Sequence, residues 1–166
     1  MLHEARTLAG AATATLRTMP EDARRSLFAR LQHATSLVHG EFLEGFSLRD
    51  APAFDDWVRF QRDSWQQHTN EVFDQLSHLQ FEAGELAPAI ETANRWLVLD
   101  PLQEEAYRRL MRLSFAIGDR AAALHAYDAC RTMLASAMQA EPAPETLALA
   151  SQIRAVTPPQ RKEALA

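Results

Sequence analysis

Arg108, Arg109 and Arg112 crowd one short stretch of this chain. On a helix, Arg108 and Arg112 share a face and Arg109 stands beside them. Guanidinium groups so placed can fork onto carboxylates or phosphates of a partner, or form local ion pairs with Glu104, Glu105 or Asp74. The other reactive side chains assemble into nothing catalytic. Cys130 is the single cysteine, which excludes an intramolecular disulfide and fits a reducing compartment. His3, His33, His39, His68, His78 and His125 form no H-x3-H or HExxH pair, so no zinc site is expected. Asp55-Asp56 and Glu104-Glu105 fall at helix starts, where the positive end of the helix dipole accounts for them. There is no glycine-rich phosphate loop and no GxSxG. The chain reads as a binding module with no catalytic residue, cofactor or metal.

Composition narrows the class of partner. The chain has 166 residues, 47% apolar and 23% charged, enough for one domain with a real core. Only 5 glycines occur among many Ala, Leu, Arg, Glu and Gln, which favours helix. The net charge is −5, whereas nucleic-acid binding normally needs a basic footprint to neutralise phosphates. No direct nucleic-acid contact is therefore expected. No run of 18 or more apolar residues exists, and the N-terminus lacks a signal-peptide layout, so a cytoplasmic location away from membranes is expected.

The elements that must position the arginines are helices. A modest helix is expected over about 2–19, with Leu8, Ala12 and Leu16 on one side. Pro20, Glu21 and Asp22 start a second, which buries Leu27, Leu31, Ala34 and Val38 and stops near Gly40. Residues 41–49 break the periodicity and read as a loop, with Phe42, Leu43, Phe46 and Leu48 pinned to the core. Asp50 is a candidate cap for a long helix from about Pro52 to Ala83, with a possible bend over 64–69. Further helices are expected over 86–99, 103–117, 120–138 and 145–155. Residues 1–155 thus form a single domain, and 156–166 a tail or linker.

A 34-residue period runs through the middle of this series. Gly84 matches Gly118, Phe73 matches Tyr107, Leu76 matches Leu110, and Leu79 matches Leu113. Beyond the glycines, Ala89-Ile90 matches Ala123-Leu124 and Trp96 matches Cys130. Cys130 thereby falls at a helix-packing position, where a thiol is inert. Paired helices at this period resemble tetratricopeptide (TPR) repeats, here near 70–103 and 104–137. The fold class is then all-α, a TPR-like antiparallel helix-pair stack (an α-solenoid) of about seven helices. Gly84 and Gly118 are expected to serve turns and close packing.

Several blocks resemble the bacterial transcriptional activation domain, the TPR-like domain of SARP-type regulators. They are LVHGEFLEGF (37–46), DAPAFDDWVRFQRD (50–63), DPLQEEAYRRLM, GDRAAALHAYDACRTML and the EPAPET turn. The resemblance covers about Leu27 to Ile153. It implies a regulatory domain of a cytoplasmic transcription regulator, usually preceded by a separate winged-helix DNA-binding domain. Trp57 with Arg59 and Arg62 matches the family's aromatic-then-basic segment. Trp57 is expected in the core, or else as a partner hot spot, and Arg62 as an ion-pair partner of Asp55, Asp56 or a neighbouring helix.

In TPR repeats the first helix of each pair lines the concave face. That resemblance makes Asp74, Gln75, His78, Arg108, Arg109 and Arg112 the candidate partner-binding groove, with Glu71, Glu82 and Glu105 also facing it. Asp74 and His78 stand where chaperone-binding TPRs place Lys and Asn, which argues against the peptide-carboxylate ligand of those proteins. The expected partner is a protein: a second copy in a homodimer, a neighbouring domain of the parent protein, or RNA polymerase. The alternative function is a standalone TPR adaptor holding a peptide in its groove.

Overall fold

The computed structural model describes residues 19–46, 48 and 51–155. Six helices lie among them: α1 (Glu21–Leu37), α2 (Pro52–Glu82), α3 (Leu86–Leu99), α4 (Glu104–Ala116), α5 (Arg120–Met138) and α6 (Pro144–Ala155). No strand occurs among the described residues. The expected helix over 2–19, the Asp50 cap and the tail at 156–166 lie outside them. Each helix packs on its sequence neighbour from α1 to α5, and α6 closes against both α4 and α5. This is the TPR-like stack of antiparallel pairs. Helix α2 runs unbroken through the expected bend, starting from Pro52 in its first turn.

The 34-residue period is written in the backbone as well as in the side chains. At the end of α2, Gly84 takes φ +77°, Gly84 N donates to Phe81 O at 3.0 Å, and Glu85 N donates to Gln80 O at 2.8 Å. At the end of α4, Gly118 takes φ +83°, Gly118 N donates to Phe115 O at 3.0 Å, and Asp119 N donates to Ser114 O at 2.9 Å. Both are Schellman closures, which need a left-handed residue after the helix cap. A Cβ at either glycine would meet nothing within 4 Å. The expectation that these glycines also serve close packing is thus corrected: conformation alone calls for them.

The repeated positions supply the core. Phe73, Leu76, Leu79, Ala89 and Trp96 are buried in the first pair, and Tyr107, Leu110, Leu113, Ala123 and Cys130 in the second. Helix α1 seats Leu27 and Leu31 on Val72, Leu76 and Leu79, and Val38 beyond it joins Phe73 and Trp96. Polar pins fix the pairs to one another. Trp96 Nε1 donates to Asn70 Oδ1 at 2.7 Å, and Asn70 Nδ2 donates to Asp100 Oδ2 at 2.9 Å. Arg95 reaches back from α3 to donate to Thr35 O at 3.1 Å.

Four residues of the loop after α1 depart from expectation. Leu43, Phe46 and Leu48 are exposed and Phe42 is half-buried, so none is pinned to the core. Trp57 is 47% exposed and is not a core residue either. The cause is length. Helix α1 has 17 residues and α2 has 31, so at about 1.5 Å per residue α2 outruns its partner by about 20 Å. Among the described residues, the loop is what covers the excess. There Phe42 meets Trp57 edge-on at 6.0 Å and Phe46 meets Phe54 at 5.8 Å. Arg62 is not an ion-pair partner of Asp55 or Asp56. It holds the loop instead, donating from Nε to Phe42 O at 3.0 Å and from Nη2 to Leu43 O at 2.9 Å, with Glu41 at 4.0 Å.

Candidate functional site

Helices α2 and α4 are the first members of the two pairs, and they bring the predicted groove residues into one polar seam. Asp74 and His78 are four apart on α2 and therefore neighbours on its surface. Arg109 projects across from α4. Its Nη2 donates to Asp74 Oδ1, and its Nη1 lies 3.3 Å from His78 Nδ1. A guanidinium has no acceptor, so His78 Nδ1 must accept and the neutral ring carries its proton on Nε2. That nitrogen faces Glu82 Oε1 at 3.5 Å. Glu82 in turn meets Arg24 of α1 at 3.7 Å. The seam thus ties α1, α2 and α4 together.

Two of the groove arginines differ from the expected exposed face. Arg109 is 8% exposed and engaged through both Nη atoms at the helix–helix contact, while its buried Nε has no hydrogen-bond partner. Such a site needs its counter-charge, because an uncompensated guanidinium there costs several kcal/mol. Arg108 is largely covered because α6 begins against it. It donates from Nε to Glu105 Oε2 at 2.8 Å and from Nη1 to Thr146 Oγ1 at 2.9 Å. Arg112 stays at the rim, its side chain 44% exposed, donating to Glu105 Oε1 at 2.9 Å. Gln75 is half-buried on α2 beside Asp74.

Glu105 sits between Arg108 and Arg112. Burial alone would raise its pKa, but the hydrogen bonds and charges of Arg108 and then Arg112 outweigh that, and the net direction is downward. The carboxylate is therefore held ionised. Glu104 does something that its place in the first turn of α4 did not reveal. Its carboxylate accepts from Ala143 N at 2.9 Å and from Thr146 Oγ1 at 2.7 Å, which caps the start of α6 from another helix. The EPAPET turn carried the signal, since Thr146 in its last position has a hydroxyl to give.

The single cysteine lies away from the seam. The Cys130 thiol is fully buried among Tyr107, Leu134 and Leu97. Burial, with the Glu104 charge adding and Arg108 opposing, pushes it up to about 11. A thiol there is almost wholly protonated at neutral pH and a poor nucleophile. Among the described residues no group of three or more His, Cys, Asp or Glu is placed to hold a metal ion. No helix among them is long and apolar enough to cross a membrane. What the seam offers is a row of charged groups with an accessible edge at Arg112 and Asp74.

One family model, that of the bacterial transcriptional activator domain, matches residues 2–154, nearly the whole chain. No curated protein and no solved structure matches.

Proposed function

Because this chain belongs to the bacterial transcriptional activator domain family, we propose that it is a regulatory protein-interaction domain of a bacterial, cytoplasmic transcription regulator. DNA contact is assigned to a separate domain outside these residues. The partner is a second copy, a neighbouring domain of the same regulator, or RNA polymerase. Binding buries helical surface and re-pairs charges, with no covalent chemistry.

The observation that carries this reading is the seam between α2 and α4. Its inner members, Asp74, His78 and Arg109, pair with one another across the two helices. Its outer members, Arg112 and Glu105, hold each other at a rim open to solvent. A partner carboxylate arriving at the rim could take over Arg112 while the inner pairs keep the helices in register. The net charge of −5 supports leaving phosphate recognition to another domain.

The test is light scattering on the purified chain across a concentration series, alone, with RNA polymerase holoenzyme, and with the DNA-binding domain of its own regulator. A complex in at least one mixture, or a dimer alone, is expected, and Arg112→Glu should weaken it without loss of helicity. Absence of all three, or retention of duplex DNA by this chain alone, would overturn the reading.

A further inference from the structure

We propose that the N-terminal end of α2, with the loop lying on it, is a docking surface for a cationic amphipathic helix of another protein or domain. The proposal takes its biological role from the interaction-domain reading but uses a different surface. Phe54, Trp57 and Phe60 succeed one another at helical spacing along one side of α2. Phe46 extends the apolar strip from the loop through its contact with Phe54. Phe60 is 69% and Trp57 47% exposed, and Phe46 is exposed as well. Large rings left in water at adjacent helical turns are the anchors that helix-in-groove recognition uses.

Charge selects the occupant. Asp56 and Asp63 stand one turn to either side of Phe60, while Asp55 follows Phe54 and Glu44 precedes Phe46 in the loop. Among the described residues, the basic groups nearby are already engaged. Arg59 pairs with Asp56 at 3.5 Å, and Arg62 donates to the loop carbonyls. Glu44, Asp55 and Asp63 have no ion pair among the described residues. An acidic rim around an aromatic strip repels phosphate and attracts Lys or Arg flanking apolar anchors. A second copy would bring the same acidic rim against itself.

The test uses the full chain and a labelled probe peptide of about five helical turns, with Leu at i, i+3, i+4 and i+7 and Lys elsewhere. Fluorescence anisotropy is read at low and at physiological salt. Saturable binding is expected, weakened about tenfold or more by Trp57→Ser/Phe60→Ser and by Asp56→Lys/Asp63→Lys. These side chains are exposed, so unchanged far-ultraviolet circular dichroism should accompany the loss. Phe60→Ser alone serves if the double variant misfolds. Binding by either variant as tight as that of wild type would overturn the proposal. So would no binding, or a wild-type dimer that Phe60→Ser abolishes. Arg112→Glu should leave peptide binding intact, so failure here is distinguishable from failure of the seam reading.

Discussion

The two ends of α2 belong to one unbroken helix and live in different surroundings. From Thr69 to Gln80 it buries Val72, Phe73, Leu76, Ser77 and Leu79 against three neighbouring helices. From Pro52 to Ser64 it fully buries only Val58, and its aromatics lean on a loop. Residue type does not explain the difference, since the exposed end is the richer in aromatic rings. Partner length does. Burial on a helix is set by what lies opposite, and α1 stops short.

Truncation at the two ends gives the largest contrast. Phe73→Ala removes a fully buried ring and should cost about 3–5 kcal/mol. Trp57→Ala removes a larger but half-exposed side chain and should cost about 2 kcal/mol, less than the Phe73 loss. Urea unfolding of both variants checks this. A comparable loss at Trp57 would mean that the N-terminal end of α2 is core after all.

The polar side of the buried end comes next in size. Arg109→Ala leaves Asp74 and His78 facing a cavity. Because Asp74 is about a third exposed and can regain water, the loss should be about 1–2 kcal/mol rather than that of a fully buried pair. Arg59→Ala at the other end breaks only a surface pair with Asp56 and should lie within about 0.5 kcal/mol of wild type. Equal losses would erase the distinction between seam and surface.

Much of this fold was legible because the period and the turns agree. Gly84 and Gly118, 34 residues apart, announced two helix ends, and both closed with the same backbone bonds. Positions matched by the period, such as Trp96 with Cys130, share burial although their chemistry differs. The lengths of α1 and α2 were legible too, and what the sequence could not carry was tertiary coverage. Nothing in Phe42 or Trp57 says what lies opposite them. Nothing in Arg108 says that α6 begins on top of it through Thr146. Asp74 and Arg109 lie 35 residues apart, one more than the period, and their meeting is one of the ion pairs that the sequence offered for these arginines.

The glycine pair offers a quieter comparison, between repeats rather than ends. Ala at a left-handed position costs about 1–2 kcal/mol, partly offset by a stiffer unfolded chain. With open space around both, Gly84→Ala and Gly118→Ala should each cost about 1 kcal/mol and differ little. A much larger loss at one would reveal a packing role there.

The smallest effect separates the seam's rim from the rest by pH. Glu105 has a folded-state pKa below the ordinary value of 4.5, held down by Arg108 and Arg112 against the opposing effect of burial. A depressed carboxylate contributes stability that is complete above its unfolded value and fades as pH falls through the lower folded one. Glu105→Gln cannot titrate and lacks that contribution throughout. The melting-temperature gap between wild type and Glu105→Gln should therefore be constant near neutrality and close as pH drops below about 4.5. The same comparison at Glu41, which meets Arg62 at 4.0 Å on the solvent-exposed loop, should show almost no gap at any pH. A gap at Glu105 that persists undiminished in acid would mean that its role is packing rather than charge.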